Sequence, residues 1–159
     1  MRPALHAFVP LALLLFVGGT NPNAAQTPST DACALLTSAQ IQTVLGVSIT
    51  AGEPLAPTIH SSCKWLQSGV DSFKALTVIV SVKSVQAYEM GKSVAIPNLK
   101  TTPVSGIGDD AYMTSGNLSY GATLSVHKGG IAYTITVRGY PDVPTLEAKE
   151  EALAKLVNL

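Results

Sequence analysis

The sequence carries little charge, and that charge is balanced. Its 159 residues include 10 Lys/Arg and 10 Asp/Glu, with no run of one sign. A protein that binds nucleic acid usually presents a basic face, so we expect neither DNA nor RNA as a partner. The two cysteines do not form a C-x-x-C pair, which leaves a thioredoxin-type redox role without support.

Sequence motifs for catalysis and metal binding are also missing. The chain has no G-x-S-x-G nucleophile elbow, no phosphate-binding loop and no dinucleotide fingerprint. His60 and His127 are far apart and have no carboxylate at ligand spacing, so we expect surface roles for both, no metal and no cofactor. A nucleophile made of Cys63 and one of these histidines is an alternative that the second cysteine opposes.

The N-terminal residues have the order of a secretory signal. Arg2 precedes an uncharged apolar run, Ala7–Val17, and small polar residues follow up to Ala25. This order predicts a cleavable signal peptide over residues 1–25. The run is shorter than the roughly 20 apolar residues of a membrane span, although an uncleaved N-terminal anchor is the alternative. We expect a secreted or periplasmic protein with no stable membrane anchor after cleavage.

Export bears on the two cysteines, Cys33 and Cys63. An even number of cysteines in an oxidising compartment usually forms disulfides, so we predict one bridge between them. In the chain-entropy description, closing a loop of this length stabilises the folded state by about 3–4 kcal/mol. A free reactive thiol is the alternative.

The rest of the chain divides into a short leader and one domain. We predict that residues 26–30 form a disordered leader and that residues 31–159 form a single domain. A first helix begins after a capping box made by Thr37 and Gln40, and it ends at Gly46. Further helices are predicted at Val85–Lys92 and at Thr145–Leu156.

Alternating apolar residues indicate strands joined by tight turns. Ala75–Val82 has the strongest alternation. A hairpin over Gly129 and Gly130 would pair Val126 with Tyr133. Because the strands are joined by turns rather than by βαβ crossovers, we predict an α+β fold, an antiparallel sheet with packed helices.

Proline and glycine predict where this sheet is interrupted. Ala51–Ser62 and Ile96–Gly106 each contain two prolines and a glycine, so both are predicted as loops. Val47–Thr50 is predicted as a short strand, and Cys63–Leu66 as another with Trp65 facing the core.

The most polar candidate site is the segment Gly106–Asp110. Its adjacent carboxylates, Asp109 and Asp110, could bind a cation, but calcium usually takes more oxygen ligands than two. We therefore interpret the segment as a structural turn before a strand. Tyr112 and Tyr120 lie near glycine turns, and with the two aspartates they form the candidate binding cleft.

Four motifs can be compared with known families. They are D-A-C-x-L-L-T at Asp31–Thr37, C-x-W at Cys63–Trp65, G-x-G-D-D-A-Y at Gly106–Tyr112 and the K-G-G hairpin. Together they resemble a loose family of bacterial exported proteins of unknown function, whose better-known members are actinobacterial cell-envelope lipoproteins. The resemblance implies a PsbP-like α/β/α sandwich, paired cysteines and a binding or accessory role. The chain departs from the lipoproteins by lacking a lipobox cysteine, so membrane anchoring does not carry over.

Three functional hypotheses follow. The first is a non-catalytic exported domain that binds a protein or a small molecule in the envelope or the medium. The second is a small secreted hydrolase that uses Asp109 or Asp110 with His60 or His127, and it requires these groups in one cleft. The third is a secreted inhibitor that acts through a rigid protruding loop at Ala51–Ser62.

Overall fold

The computed structural model describes residues 31–159, so the predicted signal peptide and leader lie outside the described residues. In that part of the chain, seven strands form one sheet, and none of the helices is long and apolar enough to cross a membrane. In chain order the elements are a 3-10 turn at Ala32–Ala34, α1 (Ser38–Leu45), β1 (Glu53–Ala56), β2 (Ile59–Leu66), β3 (Thr77–Lys83), α2 (Val85–Ser93), β4 (Lys100–Pro103), β5 (Asp110–Ser115), β6 (Ala122–Lys128), β7 (Ile131–Arg138) and α3 (Val143–Ala154).

Every strand pair in the sheet is antiparallel, in the order β1-β2-β3-β7-β6-β5-β4. The last strand in the chain, β7, lies in the middle between β3 and β6. It reaches β6 through a turn at Gly129 and Gly130, both of which have a positive φ that favours glycine. Val126 pairs with Tyr133, so the predicted hairpin register is confirmed.

The two faces of the sheet differ in chemistry because successive side chains along a strand point to opposite sides. The first face is apolar and packs against the 3-10 turn and α3, with α1 adding to the same core. The second face carries many serine and threonine side chains, and α2 packs on it. An α+β fold with an antiparallel sheet and packed helices is therefore confirmed.

The predicted disulfide is present and joins the N-terminal turn to the sheet. Cys33 lies in the 3-10 turn and Cys63 lies on β2, with their Cα atoms 5.0 Å apart. Trp65 is buried two residues further along β2, as predicted. A Cβ atom at Gly52 would lie 2.6 Å from the Trp65 indole nitrogen, so the backbone approaches this cluster closely.

The helix starts follow capping rules. Thr37 and Gln40 form the predicted capping box, in which each side chain accepts a hydrogen bond from the other residue's backbone N–H. The third helix begins earlier than predicted, because the Asp142 carboxylate accepts from the N–H of Thr145 and Pro144 stands in the first turn. Proline is tolerated there, since the N–H that it lacks has no partner within a helix.

Two segments predicted as loops contain strands instead. Ala51–Ser62 holds β1 and the start of β2, and Ile96–Gly106 holds β4. Both β1 and β4 lie at the edges of the sheet. An edge strand pairs on one side only, so Pro54 and Pro103, which lack a backbone N–H, are tolerated there. The strand predicted at Val47–Thr50 is reduced to a single bridge between Ile49 and Gln67.

Candidate binding site beneath helix α2

The contact between α2 and the sheet rests on small side chains and tyrosines. Ser125 on β6 and Thr134 on β7 are cross-strand partners on the second face, and Ala132 lies one pleat away. Tyr88 is the buried residue of α2. It forms a small cluster with Tyr112 and Ala132, separate from the main core.

Ring contacts and one close backbone approach hold α2 in place. The ring of Tyr88 lies 5.1 Å from that of Tyr112 and 5.7 Å from that of His127, centroid to centroid. The Tyr112 hydroxyl donates to the Tyr88 carbonyl oxygen at 3.3 Å. A Cβ atom at Gly91 would lie 2.5 Å from the Tyr112 hydroxyl oxygen, so only glycine allows the helix this close to β5.

An ion pair fastens the C-terminal end of α2. Lys92 donates to the carboxylate of Asp110, the first residue of β5. This hydrogen bond lowers the pKa of Asp110 from its ordinary value. Burial raises the pKa of the Tyr88 hydroxyl well above its usual range, and the nearby Asp110 carboxylate adds to this. That hydroxyl nevertheless makes no hydrogen bond with any described residue.

A cavity of about 230 Å³ lies between α2 and the second face of the sheet. Ala87 and Gly91 belong to the wall formed by α2, and Tyr88 lies between them in sequence. On the sheet side the lining is Tyr112, Ser125, Ala132, Tyr133 and Thr134, and Lys83 at the end of β3 completes it.

The structure divides the predicted binding cleft of Tyr112, Tyr120, Asp109 and Asp110. Tyr112 and Asp110 lie together beside α2. The Asp109 carboxylate accepts from the N–H of Gly129 at 2.8 Å, which ties the turn before β5 to the β6–β7 hairpin. Tyr120 is exposed and lines a different cavity of about 220 Å³, near Gly121, which precedes β6, and Gly139, which follows β7.

The two histidines are separated by the sheet order. His127 faces Asp110 directly across the β5–β6 pair, whereas His60 is exposed near the start of β2. Among residues 31–159 no group of three or more His, Cys, Asp or Glu side chains is arranged to bind a metal ion. The inhibitor hypothesis placed a protruding loop at Ala51–Ser62, and that segment forms the β1–β2 hairpin at the sheet edge.

The sequence alone does not indicate that Lys83, Tyr88, Gly91 and Ala132 belong to one site. They come from β3, α2 and β7, which are distant in sequence and adjacent only in the folded sheet. One signal was available, because Gly91 lies inside a predicted helix, where glycine is unfavourable by about 1 kcal/mol relative to alanine. Such a glycine often marks a close packing contact.

Comparisons with protein-family models, with curated proteins and with solved structures find no match to this chain. The resemblance to bacterial exported proteins stays a prediction.

Proposed function

We propose that this chain is an exported, non-catalytic binding domain that takes up a small molecule in the cavity beneath α2. The observation that carries the proposal is the cavity itself, about 230 Å³ in volume, between a helix and a sheet. Ligand pockets are concave and are lined mainly by apolar and aromatic side chains with a few polar groups; several small side chains, three tyrosines, Ser125 and Thr134 give this cavity the same character.

The attachment of α2 supports the same role. Its buried contacts are concentrated on Tyr88, and residues such as Met90 on its outer side are exposed. The Lys92–Asp110 pair lies at the surface, with both side chains about two-fifths exposed (41% and 39%). Exposed ion pairs contribute little to stability, so the attachment of α2 rests mainly on Tyr88, at the edge of the cavity.

Export is the second part of the proposal, and secretion or periplasmic location follows from it. The Cys33–Cys63 disulfide supports it, because disulfides persist in oxidising compartments and are rare in the cytosol of most organisms. The predicted signal peptide supplies the route. The partner class is a small molecule rather than a protein, since the carrying feature is a cavity and not a flat apolar surface.

A neutral aromatic probe, benzyl alcohol, tests for occupancy of the cavity. We expect it to shift the backbone amide NMR signals of Ala132 and Thr134 in the purified protein, because both residues line the cavity. Ala87→Phe should abolish these shifts by filling the space from α2. Gln86→Phe is the matched control, since Gln86 is the exposed neighbour on the same helix.

Two further observations make this test decisive. Signals from core residues such as Val80 and Ile135 must keep their wild-type positions in both variants, which shows that the sheet is intact. Ala87→Leu adds less bulk than Ala87→Phe, so it should weaken the shifts rather than abolish them. Absence of any shift in the wild-type protein, or equal shifts with Ala87→Phe, contradicts the proposal.

The register of β5 and β6 favours one alternative function, a small hydrolase. Asp110 and His127 lie directly opposite each other, and Ser125 lies on the same face two residues from His127. A histidine oriented by a carboxylate can act as a general base. Release of nitrophenol from p-nitrophenyl acetate tests this, with His60→Ala as the control. If the protein is a hydrolase, His127→Ala should lose activity and His60→Ala should keep it. Equal rates in the two variants contradict the hydrolase hypothesis.

A further inference from the structure

Lys83 gives the cavity beneath α2 a distinct electrostatic character. It is the one charged residue among those that line the cavity, and all of those belong to the described part of the chain. Its ammonium group makes no ion pair or hydrogen bond with another described residue, although its backbone belongs to the β3–β7 ladder. Asp110, the acid beside α2, already accepts a hydrogen bond from Lys92. The cavity therefore presents a positive charge that no side chain neutralises.

We propose that the ligand of this cavity is a small aromatic carboxylate. This inference rests on the proposed function and names the chemical class that the same site would take. The aromatic part lies against Tyr88 and Tyr112, and the carboxylate pairs with the Lys83 ammonium group.

The strand order places these two ends apart. Tyr112 is on β5, and its cross-strand row continues through Ser125 on β6 and Thr134 on β7. The next strand is β3, which ends at Lys83. Neighbouring strands are about 4.8 Å apart. Tyr112 and Lys83 thus lie at opposite ends of a floor two strands wide that carries the Ser125 and Thr134 hydroxyl groups, and Tyr88 covers part of this floor from α2.

The volume of the cavity fits one ring with a short acidic arm. An apolar cavity of about 150 Å³ is known to bind benzene. The present cavity, at about 230 Å³, leaves room for one or two further carbons and a carboxylate. The hydroxyl groups of Ser125 and Thr134 can donate to that carboxylate, and hydrogen bonds to an ionised group are stronger than those between neutral groups.

The experiment compares two probes of nearly equal shape, phenylacetate and phenylacetamide, by isothermal titration or by NMR titration at low salt. We expect phenylacetate to bind about tenfold more tightly, and we expect the preference to fall as salt screens the charge. Lys83→Gln should remove the preference while leaving phenylacetamide binding unchanged. Lys64→Gln is the matched control, since Lys64 lies on the same sheet face outside the cavity.

The outcomes separate this inference from the proposed function. Equal affinity for both probes, or a preference that survives Lys83→Gln, overturns the carboxylate assignment while ligand binding in the cavity stands. If phenylacetate, phenylacetamide and benzyl alcohol all fail to bind, both proposals are overturned.

Discussion

The side-chain carboxyl group of Glu150 is buried against the sheet, where its Oε1 accepts a hydrogen bond from the backbone N–H of Val137 at 2.9 Å. The residue is fully buried, and its second oxygen, Oε2, has no partner among the described residues. Burial raises the pKa of this carboxyl to about 8, against the opposing effect of the Val137 N–H. Glu150 is therefore protonated in the folded protein at neutral pH.

This protonation makes stability depend on pH in a defined direction. The ordinary pKa of 4.5 applies in the unfolded chain, and the folded value is about 8. Between these values the folded state binds the extra proton, so the free energy of unfolding falls as pH rises and levels off above the folded pKa. At about 1.4 kcal/mol per pH unit, the total loss is on the order of 5 kcal/mol.

Glu150→Gln tests this dependence because it keeps the shape and removes the titration. Urea unfolding from pH 4.5 to 8.5 should show wild type losing stability relative to Glu150→Gln across the range, since other carboxylates cancel in the comparison. Glu147→Gln is the control, because Glu147 lies on the same helix and acts on Glu150 only as a nearby charge. Parallel pH curves for wild type and Glu150→Gln contradict the assignment.

The disulfide between Cys33 and Cys63 closes a loop with a sequence separation of 30. Replacing both cysteines by serine should lower the free energy of unfolding by about 3–4 kcal/mol, mainly by freeing the unfolded chain. Denaturant unfolding with and without a reducing agent measures the difference. The reduced wild-type protein should match the double variant. Identical stability of oxidised and reduced protein would show that the bridge does not constrain the chain.

Gly91 determines how closely α2 approaches β5. Gly91→Ala should destabilise the docked helix by about 1–2 kcal/mol, because the new methyl group meets the Tyr112 hydroxyl. In an isolated helix the same change would stabilise by about 1 kcal/mol, so the sign is diagnostic. Hydrogen exchange of the α2 amides gives the local opening free energy.

The double variant Gly91→Ala/Tyr112→Phe distinguishes the steric contact with the Tyr112 hydroxyl from the effect of helix propensity at position 91. Removing the Tyr112 hydroxyl should recover most of the stability that Gly91→Ala costs. The two substitutions would then be non-additive, which gives a coupling energy between residues 91 and 112. Additive effects of the two substitutions would show that Gly91 acts through helix propensity alone.

The elements predicted correctly from the sequence are those specified by nearby residues. The capping box of Thr37 and Gln40 and the hairpin turn at Gly129 each involve residues within a few positions, and the structure has both. The strands β1 and β4 were missed because their prolines imply loops, and tolerance of proline depends on an edge position that the local sequence does not reveal.

The candidate site depends more on tertiary structure than the fold does. Lys83, Tyr88 and Ala132 meet only because β7 inserts between β3 and β6. The burial of Glu150 depends on how α3 lies across β6 and β7, which the local sequence does not reveal. By contrast, Tyr112 and Asp110 could be singled out, since they follow a glycine turn that marks the start of a strand.

Occupancy of the cavity beneath α2 is the central claim, and intermolecular NOEs from bound benzyl alcohol test it most directly. The methyl groups of Ala87 on α2 and Ala132 on β7 both line this space. Our account predicts NOEs from the ring protons of the probe to both methyl groups at once. NOEs confined to exposed apolar residues such as Met90 and Ile96, with none to Ala87 and Ala132, would contradict it.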